Sequence, residues 1–295
     1  MRTDISFTSH GLTCRGWLYR PANAEKAPAI VMSHGLSAVK ELGLTGFAET
    51  FCAAGFVVVV FDYRFQGDSD GAERGRIIPQ EQHDDIRAAV GYTAGLPGVD
   101  AERIGYWGSS YSGGHALFLG AFEPRIKVVV SQVPAIALAR ALLALAGREG
   151  FAYYLNVLAQ DFAARNAGAE GGNIPIVAPP GEPAILSTPD SYDWFMKNCE
   201  GLPGWVNYMT LESVARMAEY WPVAFIDLVT PKPLLIQAAV HDSLIPIEHV
   251  REAFARAGEP KKLVEYDAGH FDFYTGERLH GEVVKEAVAW FKAHL

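Results

Sequence analysis

The sequence predicts an α/β protein: a mostly parallel sheet flanked by helices, interrupted by one inserted subdomain. Three observations carry this prediction. Short β-branched runs alternate with longer helical patterns, several runs are apolar at every position, and two consecutive runs lie nearly a hundred residues apart.

The strand candidates are residues 29–33, 56–62, 103–107, 127–133, 233–240 and 262–267. Residues 57–60 and 128–130 are valine throughout, so both faces of these strands should lie under helices. Residues 5–20 alternate polar and apolar and turn at His10-Gly11, which predicts an antiparallel hairpin at one sheet edge. Apolar spacing of three and four places helices at 42–54, 80–95, 111–122, 246–258 and 281–294. Gly55, Gly95 and Gly258 stand where helix C-termini take a left-handed residue.

Residues 134–231 break the alternation. A crossover needs far fewer, so the expected organisation is a core of residues 1–133 and 232–295 with an inserted, mainly helical cap at 134–231. Within it, 135–158 reads as helical and 168–189, rich in Gly and Pro, as irregular. Residues 192–225 hold eight aromatics, including Trp194, Trp205 and Trp221, about twice the chain's 12%. They read either as a small core for the insertion or as an apolar cover over a site, and the two are compatible.

With 295 residues, 49% apolar and 20% charged, the composition excludes a disordered, collagen-like or coiled-coil chain. The net charge of -9 gives no general attraction to phosphate backbones or anionic lipid, so neither nucleic acid nor membrane is expected as a partner. Cys14, Cys52 and Cys199 are odd in number and far apart, which reads as reduced thiols in a cytoplasmic protein. The first 20 residues show no signal-peptide pattern. The longest apolar run, 51–61, spans 11 residues, where a membrane helix needs about 20.

The segment 106–114, Tyr-Trp-Gly-Ser-Ser-Tyr-Ser-Gly-Gly, follows a strand and opens a helix. A nucleophile elbow holds its serine in a strained turn and needs small residues two before and two after. Gly108 and Ser112 flank Ser110 in that way, departing from G-x-S-x-G only by Ser for the last Gly. Ser112, between Ser110 and Gly114, is the competing frame but lies further from the strand end, and Ser109 reads as a turn residue. A glycine-rich turn without chemistry is the plainer alternative. Against it stand Asp242, just past the strand at 233–240, and His270, in the turn after 262–267. The chain order nucleophile, acid, base at C-terminal strand ends fits acyl chemistry, with His270 taking the Ser110 proton and Asp242 orienting the imidazole. Asp227 and Asp267 are rival acids, but Asp227 precedes its strand and Asp267 reads as a turn cap.

A tetrahedral intermediate also needs N–H donors for its oxyanion, worth about 3 kcal/mol each. The residue after the nucleophile, Tyr111, supplies one, and the loop His34-Gly35-Leu36 the other, at Leu36. His34 and His241, with Trp194, Trp205 and Trp221, are the candidates for substrate contact. His115 reads as a satisfied packing residue, and His10, His83, His249, His280 and His294 as surface groups.

With these residues in place the sequence resembles the α/β-hydrolase superfamily over residues 25–133 and 230–295. SHGL at 33–36, FDYRFQGDSDG at 61–71, GVDAERIGYWGSSYSGG at 98–114, HDSLIP at 241–246 and AGHFDFY at 268–274 carry the likeness. The string around Ser110 and the Lys40-Glu41 pair resemble the Xaa-Pro dipeptidyl-peptidase-like and dienelactone-hydrolase-like group, which includes polyketide-cluster acyltransferases and hydrolases. The resemblance implies an α/β-hydrolase fold, Ser110, Asp242 and His270 as triad, and Leu36 and Tyr111 as oxyanion donors. Two departures matter. Dienelactone hydrolases use cysteine where Ser110 stands, and Xaa-Pro peptidases are usually longer, with added domains that grip a peptide amine.

The expected function is therefore a serine-dependent acyl hydrolase, an esterase or thioesterase, acting on a small-molecule apolar acyl substrate. The alternative is acyl transfer to an alcohol, amine or thiol; further off lie an idle ligand-binding fold, a peptidase, a lactonase and a carbon-carbon hydrolase. No metal cluster or dinucleotide fingerprint is visible, so no metal and no cofactor is expected. A homo-oligomer is compatible with the sequence, which does not set the oligomeric state.

Overall fold

The computed structural model describes residues 1–22, 25–199, 201–275 and 277–295. Its strands are β1 (Arg2–Ser9), β2 (Leu12–Tyr19), β3 (Ala27–Ser33), β4 (Val57–Phe61), β5 (Val99–Ser109), β6 (Ile126–Gln132), β7 (Asn173–Ile174), β8 (Met209–Thr210), β9 (Leu234–Ala239) and β10 (Lys261–Tyr266). Eight of them form one sheet in the order β1-β2-β4-β3-β5-β6-β9-β10. β1 and β2 are an edge hairpin with Ser9 opposite Leu12, and β2 runs antiparallel to β4; from β4 onward every pair is parallel. His10 and Gly11 both take positive φ, 46° and 80°, the turn geometry that matches the twist of paired strands.

The valine runs show why the sheet is covered on both sides. Val57 and Val59 belong to one core, while Val58 and Val60 point into another. The first core is closed by α2 (Pro79–Ala94), α3 (Tyr111–Phe122) and α7 (Ile247–Arg256), the second by α1 (Thr45–Ala53) and α9 (Glu277–His294). A short helix, α8 (Asp272–Thr275), precedes α9. Gly55 ends α1 with φ 105°, as expected, but Gly95 is right-handed at φ -82°. Gly258 lies past the extended cap residue Ala257, and a Cβ there would stand 2.8 Å from Thr230, so close packing rather than helix capping accounts for that glycine.

Between β6 and β9 lie α4 (Leu138–Asn166), α5 (Pro189–Cys199), α6 (Leu211–Ala218) and a 3-10 helix at Pro222–Leu228, with β7 and β8 paired antiparallel. α4 runs further than the predicted 135–158 and breaks at Gly147, where φ is 68°. Among the described residues no helix is long and apolar enough to cross a membrane.

Candidate active site

β5 stops at Ser109 and α3 starts at Tyr111, so Ser110 alone makes the turn. Its φ of 57° and ψ of -116° lie outside the regions a serine ordinarily occupies, a strain that the surrounding packing must hold. The packing is close enough to do so. A Cβ on Gly108 would lie 2.0 Å from the Ser112 carbonyl, and one on Gly114 2.4 Å from the Ala135 carbonyl. Strand and helix are pressed together on glycine backbones, leaving the Ser110 side chain at the head of the turn.

The two serine frames separate here. Ser112 is fully buried, donates to the His34 carbonyl and pairs with the Tyr63 hydroxyl at 2.6 Å. Ser110 Oγ instead lies 3.1 Å from His270 Nε2. His270 Nδ1 is 2.7 Å from Asp242 Oδ2, and the carboxylate can only accept, so Nδ1 carries the proton and Nε2 is free to accept from Ser110. The other Asp242 oxygen accepts the N–H groups of Leu244 (2.9 Å) and Ile245 (2.8 Å), which fixes the carboxylate on its loop. Both side chains of the pair are 2% exposed. The rival acids are elsewhere: Asp227 meets Arg256 at 3.6 Å and Asp267 meets His241 at 2.7 Å, all on the surface.

The loop after β3 passes directly over the elbow. A Cβ on Gly35 would be 3.0 Å from Ser110 Cβ and 3.4 Å from its Oγ, so a side chain there would press on the Ser110 side chain. Leu36 follows in that loop, and Tyr111, the first residue of α3, has an N–H with no intrahelical acceptor. In front of Ser110 lies an apolar cavity. Its walls are Leu138, Leu142, Leu145 and Tyr154 of α4, Val214 and Met217 of α6, and Leu36, Leu186, Leu244 and Ile245.

Residues 15–271 match the X-Pro dipeptidyl-peptidase (S15) family. The chain belongs to this family. It is 30% identical over 98% of its length to quorum-quenching protein AidA of Acinetobacter baumannii, 94% of which is covered. It is also 30% identical to thiohydrolase aneE of Aspergillus aculeatus, over 95% of this chain and 89% of that one. A polyketide transferase of Aspergillus fumigatus, af380, is 29% identical over 100% and 99%. The crystal structure of the alpha/beta hydrolase GrgF from Penicillium superposes with a TM-score of 0.86 at 25% identity, over 100% of this chain and 99% of that one. Family and fold make the chain an α/β hydrolase.

Of the five residues expected at the substrate of this S15 family member, only Trp194 lines a cavity that reaches Ser110. His34, the first residue of that loop, is buried, edge-on to Tyr63 at 4.9 Å and 3.8 Å from Asp62. Burial pushes its imidazole down to about 4, so it stands there neutral. Trp205 stacks on Phe195 and donates Nε1–H to the Ser37 carbonyl at 3.1 Å, which commits its indole to protein packing. Trp221 is half exposed at the start of the 3-10 helix, and His241 points outward to Asp267.

His83 is also corrected: on α2 it is buried, stacked on Phe118 at 4.2 Å and bonded to His115 Nδ1 and Tyr220 OH at 3.0 Å each. His115 is satisfied further by Gln82 Oε1 at 2.9 Å. Sequence reasoning missed the clamp behind the Gly35 loop. Asp62, fully buried at the end of β4, accepts from Lys40 N (2.7 Å), Lys40 Nζ (2.8 Å) and Asp68 N (3.0 Å). Burial opposes the Lys40 charge, yet Asp62, Asp68 and Glu41 together hold its ammonium above the ordinary lysine range. The signal was present in Lys40-Glu41 and in the segment 61–71, where a Cβ on Gly67 would strike the Asp62 carboxylate at 2.1 Å.

Proposed function

We propose that this S15 family member is a serine-dependent acyl hydrolase that cleaves esters or thioesters of apolar acids through an acyl-enzyme. The single observation that carries the reading is the Ser110–His270–Asp242 chain of hydrogen bonds, 3.1 Å and 2.7 Å, opening onto an apolar cavity.

Ser110 Oγ attacks the acyl carbon while His270 Nε2 takes its proton. The charge that develops on the acyl oxygen lies between the Leu36 and Tyr111 N–H groups, each worth about 3 kcal/mol when so placed. His270 then protonates the leaving oxygen or sulfur, and Asp242 stabilises the imidazolium. Water then takes the place of the departed group, gives its proton to His270 and frees the acid. The insertion at 134–231 acts as the cap, since α4 and α6 supply much of the cavity wall. That wall is uncharged, which supports an apolar acyl group; a peptide's terminal ammonium would want a carboxylate. Relatives named thiohydrolase and polyketide transferase support acyl chemistry on carbon chains rather than peptide cleavage, and the second name supports transfer to another acceptor as the alternative outcome. Three free cysteines fit a reducing, cytoplasmic setting.

A fluorophosphonate probe tests the reading. The wild-type protein should label at one serine and Ser110→Ala should not; label retained in Ser110→Ala would overturn the assignment. A panel of p-nitrophenyl esters and acyl thioesters then reads the substrate class.

A further inference from the structure

A second cavity meets the first at Ser110, and the two share Leu36, Ser110, Leu186 and Leu244. Their other walls differ in one decisive respect. His270 lines the second cavity and not the first, together with Trp194, Phe195, Phe271 and Tyr274. In an acyl transfer by this machinery the group that leaves must be protonated by His270, so its oxygen or sulfur lies within hydrogen-bond reach of Nε2. The acyl chain occupies the remaining direction. The geometry points to the second cavity as the site of the departing alcohol or thiol, and to a neutral, ring-bearing apolar group as its occupant. This rests on the acyl-enzyme mechanism above.

The wall fits such an occupant. Trp194 is stacked on Phe271 with ring centres 5.1 Å apart and planes at 25°, and Tyr274 packs against Trp194 at 5.5 Å. Tyr274 is itself pinned, its hydroxyl 2.5 Å from Ser109 Oγ, so the aromatic wall is tied to the last residue of β5. No lysine or arginine lines this cavity among the described residues, so a phosphorylated alcohol or thiol would find no counter-charge there.

The same site serves both half-reactions. In acylation the Ser110 Oγ–carbon bond forms, the bond from carbon to the leaving oxygen breaks, and the proton passes from Oγ through His270 to that oxygen. In deacylation an alcohol in the same cavity gives its proton to His270 and its oxygen bonds the acyl carbon. The Ser110 ester then breaks and Oγ takes the proton back. An apolar, ring-bearing alcohol therefore competes with water for the acyl-enzyme.

The experiment compares butyrate esters of methanol and 2-phenylethanol on wild-type protein, with fluorophosphonate labelling at Ser110 as the separate check on the mechanism. Wild type should favour the 2-phenylethyl ester in kcat/KM by about tenfold, the effect of burying one ring. Trp194→Ala should reduce that ratio by about tenfold while leaving the ratio of octanoate to butyrate unchanged. Ala38→Phe, which adds bulk at a residue lining the cavity, should remove the 2-phenylethyl preference and keep the methyl ester a substrate. Added 2-phenylethanol should divert product from free acid to ester. A wild-type alcohol ratio near one, or a Trp194→Ala effect on acyl length instead of alcohol, overturns the assignment even where Ser110 labels. Absence of Ser110 labelling overturns the mechanism itself.

Discussion

Gly35 lies so near Ser110 that a single added carbon on it would stand 3.0 Å from the Ser110 Cβ and 3.4 Å from the hydroxyl oxygen. That closeness limits how far the β3 loop can shift against the elbow, and in the proposed mechanism the loop's position governs where the oxyanion would sit.

Gly35→Ala should therefore lower kcat/KM for any ester by about tenfold to a hundredfold, because a displacement well under 1 Å already misplaces the N–H donors. Fluorophosphonate labelling should slow in parallel while the circular dichroism spectrum stays unchanged. Wild-type rates in this variant would mean that the loop does not hold the oxyanion.

Asp242→Asn should cost on the order of a thousandfold or more in kcat, since an amide beside Nδ1 favours the wrong imidazole tautomer. Asp227→Asn and Asp267→Asn should stay within about twofold, because both acids are exposed and their pairs contribute little. Steady-state kinetics on one activated ester distinguishes the three.

Gly108→Ala should destabilise the fold by about 3 kcal/mol or more, the upper range for overpacking, because its methyl group would overlap the Ser112 carbonyl at 2.0 Å. Denaturant unfolding measures this directly. Gly11→Ala and Gly168→Ala offer the contrast: space is open at both, and only their positive φ opposes the change.

Stability should fall as the pH drops from about 6.5 towards 4. Burial holds His34 near 4 and His115 near 3, and lowers His83 as well. Their folded values lie below the unfolded value near 6.5, so the unfolded chain binds protons first, and stability that is complete above 6.5 is lost on acidification. Each histidine contributes at most about 1.4 kcal/mol per pH unit. Urea midpoints at pH 7 and 5 should differ less in His115→Gln than in wild type.

Leu142→Trp, which narrows the first cavity from α4, should shorten the preferred acyl chain. Each methylene excluded costs about 0.8 kcal/mol, about fourfold in kcat/KM. Rates across acetate to decanoate esters of one alcohol provide the profile; an unchanged optimum would place the acyl chain elsewhere.

What the chain wrote into its own sequence is whatever depends on near neighbours. Runs such as 57–60 mark strands that can be buried on both faces, spacing of three and four marks α2 and α9, and Gly108 two residues before Ser110 marks a close approach of strand and helix that only glycine admits. The positions of Asp242 and His270 past strand ends follow from the same local signals. Partners and burial were decided by the tertiary structure, because they depend on residues distant in the chain. Ser112 differs from Ser110 by a bond to His34, 78 positions away, and His83 is buried because Tyr220 lies 137 positions on. Trp205 is committed to Ser37 across 168 positions, while Trp194, equally aromatic in the sequence, lines a cavity together with Ser110 and His270. Periodicity records which face of an element is apolar; only the packed chain decides whether that face meets protein or substrate.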